Sequence, residues 1–255
     1  MTLTPRLLAL SAAAVITAAS VAPATTPGSS GPASTFDIEP ATQAPPVSTP
    51  GSFVYLVPTS ARAAGYSGTT WRTDLELHNP GSTETDVSLY FLKGNTDNTG
   101  AVGVPVKLPG GQSVRLGDVV GTLFGESSAS GAILIGSTSA LVVASRTFND
   151  AATGTFGELM EGYSPAQASH YGEKVHLIGL TQDETYRTNF GIANAGPTAV
   201  TVTATFYRFD GTLLGTRGYT LAPFGWRQET KVIEQLTAEP VADAYAVVSS
   251  GSSGS

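Results

Sequence analysis

The chain has 255 residues, of which 13% are charged, a formal net charge of −7 and no cysteine. That length holds one large domain or two ordinary ones. The net acidity, with no Lys/Arg cluster, excludes a phosphate-neutralising stripe for nucleic acid and a polybasic segment for an anionic membrane. Without thiols, disulfide staples, thiolate zinc sites and cysteine nucleophiles are excluded too, so stability must come from ordinary apolar cores.

In chain order, "MTLTPR" supplies one positive charge at Arg6, and "LLALSAAAVITAASVA" follows as an apolar run. "APA", Ala22 to Ala24, is the small-x-small pattern that a signal peptidase reads. Residues 1–24 are therefore predicted to be a cleaved signal peptide, which places the product outside the cytoplasm, secreted or at the cell surface, with no membrane insertion after cleavage. The run is short for a spanning helix and diluted by Ser and Thr. Residues 25–52 are rich in Pro, Ser and Thr, bury too little apolar area to offset ordering, and read as a disordered linker.

From Phe53 the pattern becomes strand-like. "FVYLVP" is a short apolar run. "WRTDLELHN" alternates, with Trp71, Thr73, Leu75 and Leu77 predicted inward and Arg72, Asp74, Glu76 and His78 outward. "DVSLYFL" puts Val87, Leu89 and Phe91 on one face and Tyr90 on the other. "VPVKL" and "QSVRL" flank the turn Pro109–Gly111, and "GDVVGTLF" has helical spacing. "GAILIGS" and "LVVASRTF" read as a closing pair of strands, with "TFGELM" a further one. Across this span the charged side chains are sparse and the turns frequent, as a sandwich requires.

The same order then returns. "YRTNFGIANAG" repeats "WRTDLELHNPG", so that Trp71, Arg72, Thr73, Asn79 and Gly81 match Tyr186, Arg187, Thr188, Asn194 and Gly196. "VTVTATFYRF" repeats the next strand, with Tyr207 outward, and "TKVIEQL" matches the short helix through Val232, Ile233 and Leu236. The fold class expected is all-β: two tandem β-sandwich domains related by internal duplication, at 53–165 and 166–255. The second stops where a partner of "LVVASRTF" should begin, so it is expected to be truncated at its C-terminal end, with an open edge completed by further chain or by another molecule.

The stretches "WRTDLELHNPGSTETDVSLYFL", "LPGGQSVRLGDVVGTLFG", "SGAILIGSTSALVVASRTFN" and "YRTNFGIANAGPTAVTVTATFYRFDGTLLG" resemble a tandem Ig-like repeat of secreted bacterial proteins. The resemblance covers most of Phe53 to Ser250 and implies an extracellular β-sandwich array. It brings no catalytic residues to carry over.

Chemistry is sparse. His78, His170 and His176 have no metal-ligand spacing. "GYSGT" around Ser67 lacks the strand-turn-helix context of a nucleophile elbow and reads as a loop. Asp74 and Glu76 lie two apart on one strand, but hydrolases of the two-carboxylate kind set their acids across a cleft. Arg72 is expected to pair with Asp74 or to bond a neighbouring loop, as is Arg187. "NTDNTG", Asn95 to Gly100, starts like a calcium loop, yet its twelfth position is Val106 rather than an acid. No cofactor is implied. The ligand candidates are aromatic: Tyr66, Tyr90, Tyr163 and Tyr207, placed to stack on a sugar or a neighbouring module. The expected function is a non-catalytic exported module for display, spacing or adhesion to a cell-surface protein or polysaccharide. A carbohydrate-binding module accessory to an extracellular enzyme is the alternative, and an extracellular hydrolase a distant third.

Overall fold

The computed structural model describes residues 9–10, 45, 52–65, 68–152, 154–170, 172–184 and 186–251. The signal and linker segments expected from the sequence lie outside these, apart from Ala9, Leu10, Pro45 and Ser52. Regular structure is almost entirely antiparallel β, and the chain divides into two compact units. Among the described residues no helix is long and apolar enough to cross a membrane, which says nothing of a β-barrel.

The strands, in order, are β1 (Ala9–Leu10), β2 (Phe53–Ala64), β3 (Thr70–His78), β4 (Thr85–Lys93), β5 (Val104–Leu108) and β6 (Ser113–Leu116). A short helix α1 (Val119–Thr122) precedes β7 (Ala129–Ser137), β8 (Val142–Ala151) and β9 (Gly154–Glu161). The rest are β10 (Lys174–Gln182), β11 (Phe190–Asn194), β12 (Val200–Tyr207), β13 (Leu213–Leu221), β14 (Trp226–Glu229) and β15 (Val241–Gly251).

The N-terminal unit holds the described residues of Val21–Gly94 and Thr99–Ala166. Strands β5-β4-β7-β2 form one ladder, and β6-β3-β8-β9 form the other. Strand β2 joins both. Its register against β7 slips between Val57 and Ser60, and it ends by pairing Ala63 with Trp71. The slip falls at Pro58, which has no N–H to continue a ladder. The predicted closing pair is not a pair: β7 lies between β4 and β2, while β8 lies between β3 and β9. Likewise β5 and β6 flank the Pro109–Gly111 turn but belong to different ladders. Gly111 there has φ 70, a left-handed conformation that glycine adopts at no steric cost. Leu75, Leu77, Val114 and Val143 from one ladder pack with Val57, Val87, Leu89, Ile133 and Ile135 from the other in a single apolar cluster. This is a sandwich-like core.

The C-terminal unit holds the described residues of Gln167–Ser255, the segment Asn95–Asn98, and β1. Its four-stranded ladder is β10-β15-β12-β13, and β11 pairs with β14. Counting strands from β2 in the N-terminal unit and from β10 in the C-terminal unit, the ladder order is first, sixth, third, fourth in both, and the second strand pairs with the fifth in both. Phe190, Ile192, Val202, Ala204, Phe206, Tyr219, Val232 and Ile233 build its core.

Several sequence expectations need correction at this level. Trp71 and Tyr186 are half-buried rather than core residues, and β11 begins only at Phe190, leaving Tyr186–Asn189 outside the strand. "TKVIEQL" forms successive turns, not a helix, although Val232 and Ile233 are fully buried as their spacing required. A β-branched pair with little helix propensity reaches the core equally well from a turn.

Candidate functional site

The threonine and the asparagine of the recurring signature occupy equivalent positions in the two units, and each side chain bonds backbone. Thr73 is fully buried, and its Oγ1 accepts the Ala61 N–H at 2.8 Å and meets Thr147 Oγ1 at 2.9 Å. Thr188 Oγ1 accepts the Thr181 N–H at 3.1 Å and donates to the Thr181 carbonyl at 2.9 Å. In both cases a threonine ties its segment to the strand at the end of the unit's four-stranded ladder, β2 or β10.

Asn79 is fully buried where β3 ends. Its Nδ2 donates to the carbonyls of Thr83 at 2.8 Å and Leu108 at 2.9 Å, and its Oδ1 accepts the Gly81 N–H at 2.9 Å. Asn194, also fully buried, donates to Thr198 at 2.7 Å and Ala222 at 2.9 Å, and accepts the Gly196 N–H at 3.0 Å. A carboxamide suits this position because it carries two donors and an acceptor in one planar fork.

A third correspondence was not legible as such. Asp74 Oδ1 accepts the Asp118 N–H at 2.9 Å, and Asn189 Oδ1 accepts the Lys231 N–H at 3.1 Å. Asp118 and Lys231 both have left-handed backbones, with φ 48 and 51. Aligning "RLGDVV" with "QETKVI" puts these two residues at one position, which is the signal that could have found them.

The charges around this point differ between units. In the N-terminal unit Asp74 Oδ2 accepts from Arg115 Nη2 at 2.7 Å, Arg115 reaches Glu76 at 3.7 Å, and Arg62 pairs with Asp118. The hydrogen bond and charge of Asp74 push the Arg115 guanidinium to still higher pKa. Asp118 Oδ1 is buried without a hydrogen-bond partner. The sequence reading set Asp74 outward beside Arg72. In the structure Asp74 is 9% exposed with both oxygens engaged, and Arg72 lies 3.6 Å from Asp150 on β8 instead. Both Asp74 oxygens are already taken by Arg115 and the Asp118 N–H, and Asp150 is the diagonal neighbour of Arg72 on the paired strand, within reach of a long side chain. His78 Nδ1 meets Ser113 Oγ at 2.9 Å on the paired strand β6.

Of the aromatic candidates, Tyr66 lies outside the described residues, as does Ser67. Tyr90 is 1% exposed, which corrects the outward placement. Its ladder is apolar on both faces: Leu56, Leu92 and Leu134 share its side and are buried with it, and Gly103 packs against its ring. Burial pushes the Tyr90 hydroxyl to higher pKa, opposed by its bond to Ser88. Tyr163 is half-buried and exchanges backbone hydrogen bonds with Leu56 at 2.8 and 2.9 Å.

Tyr207 is half-buried and stacks on Tyr245 of the adjacent strand, with ring centroids 5.0 Å apart and 15° between planes. Tyr207 opposes Leu213 on its other side, and Ile178 lies in the bulge of β10 opposite Tyr245. Ile178 is 78% exposed, Phe209 75% and Leu213 59%, so an apolar row crosses all four strands on the outer face of this ladder. The sequence reading found Tyr207 but not its neighbours, because bulges at Gly179 and between Phe206 and Tyr207 break the two-residue period.

In the segment read as a partial calcium loop, Asn95 N–H donates to Trp226 O at 2.8 Å and Asn98 Nδ2 donates to Phe224 O at 2.9 Å. Among the described residues no group of three His, Cys, Asp or Glu side chains gathers as a metal ion needs.

No family model matches the chain, and no curated protein matches it. A crystal structure titled for Thermotoga maritima 1070 is similar to 45% of this chain and 96% of its own, at 16% identity and a TM-score of 0.37, a level that bears on neither fold nor function.

Proposed function

We propose that the chain is an exported, non-catalytic module of two tandem Ig-like β-sandwiches related by internal duplication, used for display, spacing or adhesion to a cell-surface protein or polysaccharide. The carrying observation is which residues recur. Thr73 and Thr188, Asn79 and Asn194, and Asp74 and Asn189 keep the same backbone bonds. The charges around them do not recur: Glu76, Arg115 and Asp118 stand where the other unit has Gly191, Gln228 and Lys231. Selection for a shared reaction preserves reacting groups, whereas selection for a shared fold preserves corners. Export rests on the N-terminal sequence alone.

The test is secretion from a bacterial host, with sequencing of the released N-terminus and binding of the product to intact cell walls. Cleavage after Ala24 and binding without turnover are expected. Ester or glycoside hydrolysis that Asp74→Asn abolishes would overturn the reading.

The carbohydrate-binding alternative is favoured by one observation, the stacked Tyr207–Tyr245 pair within its exposed row. On that reading Tyr207→Ala weakens binding to an immobilised polysaccharide roughly fivefold, since an aromatic contact contributes about 1 kcal/mol. Undiminished binding of Tyr207→Ala contradicts it.

A further inference from the structure

We propose that the edge of β11 opposite β14 is a strand-accepting site, and that its occupant is the chain's own N-terminal stretch around Ala9–Leu10. In the N-terminal unit the equivalent strand is paired on both edges. There β6 lies along one side of β3, and β8 lies along the other from Thr70↔Asp150 to His78↔Val142. In the C-terminal unit β14 takes the place of β6, from Phe190↔Glu229 to Ala193↔Trp226. The place of β8 is taken by β1, antiparallel, through Ala9↔Asn194 and Leu10↔Ala193.

An edge with unpaired N–H and C=O groups recruits another strand, and a buried edge requires one. Strand β11 is buried at all five residues, whereas β3 exposes Glu76 at the position equivalent to Gly191. Phe190 and Ile192 enter the core, and Gly191 and Ala193 alternate with them. The occupant must therefore be extended, uncharged and free of proline. Residues 7–22, "LLALSAAAVITAASVA", carry no charge and no proline between Arg6 and Pro23, and within them Ala9–Leu10 form a strand. The inference does not depend on export. If export occurs, cleavage of the signal withdraws the strand, and the capped edge belongs to the unprocessed chain.

The absence of native cysteine allows a direct test in the full, unprocessed chain. Leu10→Cys with Ala193→Cys places two thiols at directly opposed positions. Oxidation followed by peptide mass spectrometry is expected to give an intramolecular disulfide in the monomer, roughly tenfold above Leu10→Cys with Thr203→Cys on the exposed face of β12. Equal yields overturn the proposal, as does a disulfide formed only between two chains. Should the double variant not fold, hydrogen exchange of Leu10→Pro decides. Loss of the paired strand is expected to lower protection within Phe190–Asn194 by roughly tenfold, and unchanged protection contradicts it.

Discussion

Tyr219 illustrates how single side chains set the chemistry of these cores. It is 5% exposed, has its ring centroid 5.5 Å from that of Phe190 with the planes tilted by 37°, lies under Arg227 at 5.3 Å, and buries a hydroxyl with no hydrogen-bond partner. Burial first, and then the charge of Glu229, push its pKa up to about 12, against the opposing charges of Arg217 and Arg227. A phenol whose folded pKa lies above its unfolded value stabilises the fold fully below the unfolded pKa of about 10. That contribution is lost as pH rises through about 12. Stability against urea should therefore fall between about pH 10 and about pH 12, and Tyr219→Phe should flatten this slope. Near neutral pH the substitution should be neutral or stabilising by up to about 1 kcal/mol, because it removes an orphaned buried hydroxyl. Identical pH slopes in the two proteins would count against this account.

At the level of elements, α1 depends on one glycine. A Cβ on Gly121 would overlap Arg62, which pairs with Asp118 at the start of the helix. Alanine favours a helix by about 1 kcal/mol over glycine, yet displacing Arg62 leaves a mostly buried Asp118 carboxylate unpaired. Arg62 is one-third exposed, so solvent screens part of that cost. Gly121→Ala is expected to lower stability by roughly 1 kcal/mol, and to become stabilising when Arg62→Ala is already present. A stabilising effect in both backgrounds would show that the pair is not what Gly121 protects.

Elements also mark how far the sequence could be read. The alternation of β12 was plain because Val200, Val202, Ala204 and Phe206 enter the core while Thr201 and Thr203 meet solvent. Tyr90 misled because its sheet is buried on both faces. The continuous run Ala132–Ile135 was the warning, since unbroken apolar strands belong to doubly covered sheets. The Asp74–Asp118 link and the β1–β11 pairing were illegible because they join residues far apart in the chain, and alternation along one strand names no partner.

Across the whole molecule, each unit has its own apolar cluster and its own set of corner bonds. The chain has two tryptophans, and each unit holds one: Trp71 on β3 and Trp226 on β14. Fluorescence of Trp226→Phe and Trp71→Phe variants therefore reports each unit by itself. The central claim is that the recurring Asn-x-Gly signature holds the fold, once in each unit. It is tested by urea unfolding of Asn79→Ala and Asn194→Ala in these single-tryptophan backgrounds. Asn79→Ala should destabilise the unit reported by Trp71 by roughly 2–3 kcal/mol and leave the Trp226 transition in place, with the reverse for Asn194→Ala. Unchanged unfolding in both units, accompanied by loss of a binding or catalytic activity, would contradict the claim and make the signature a site.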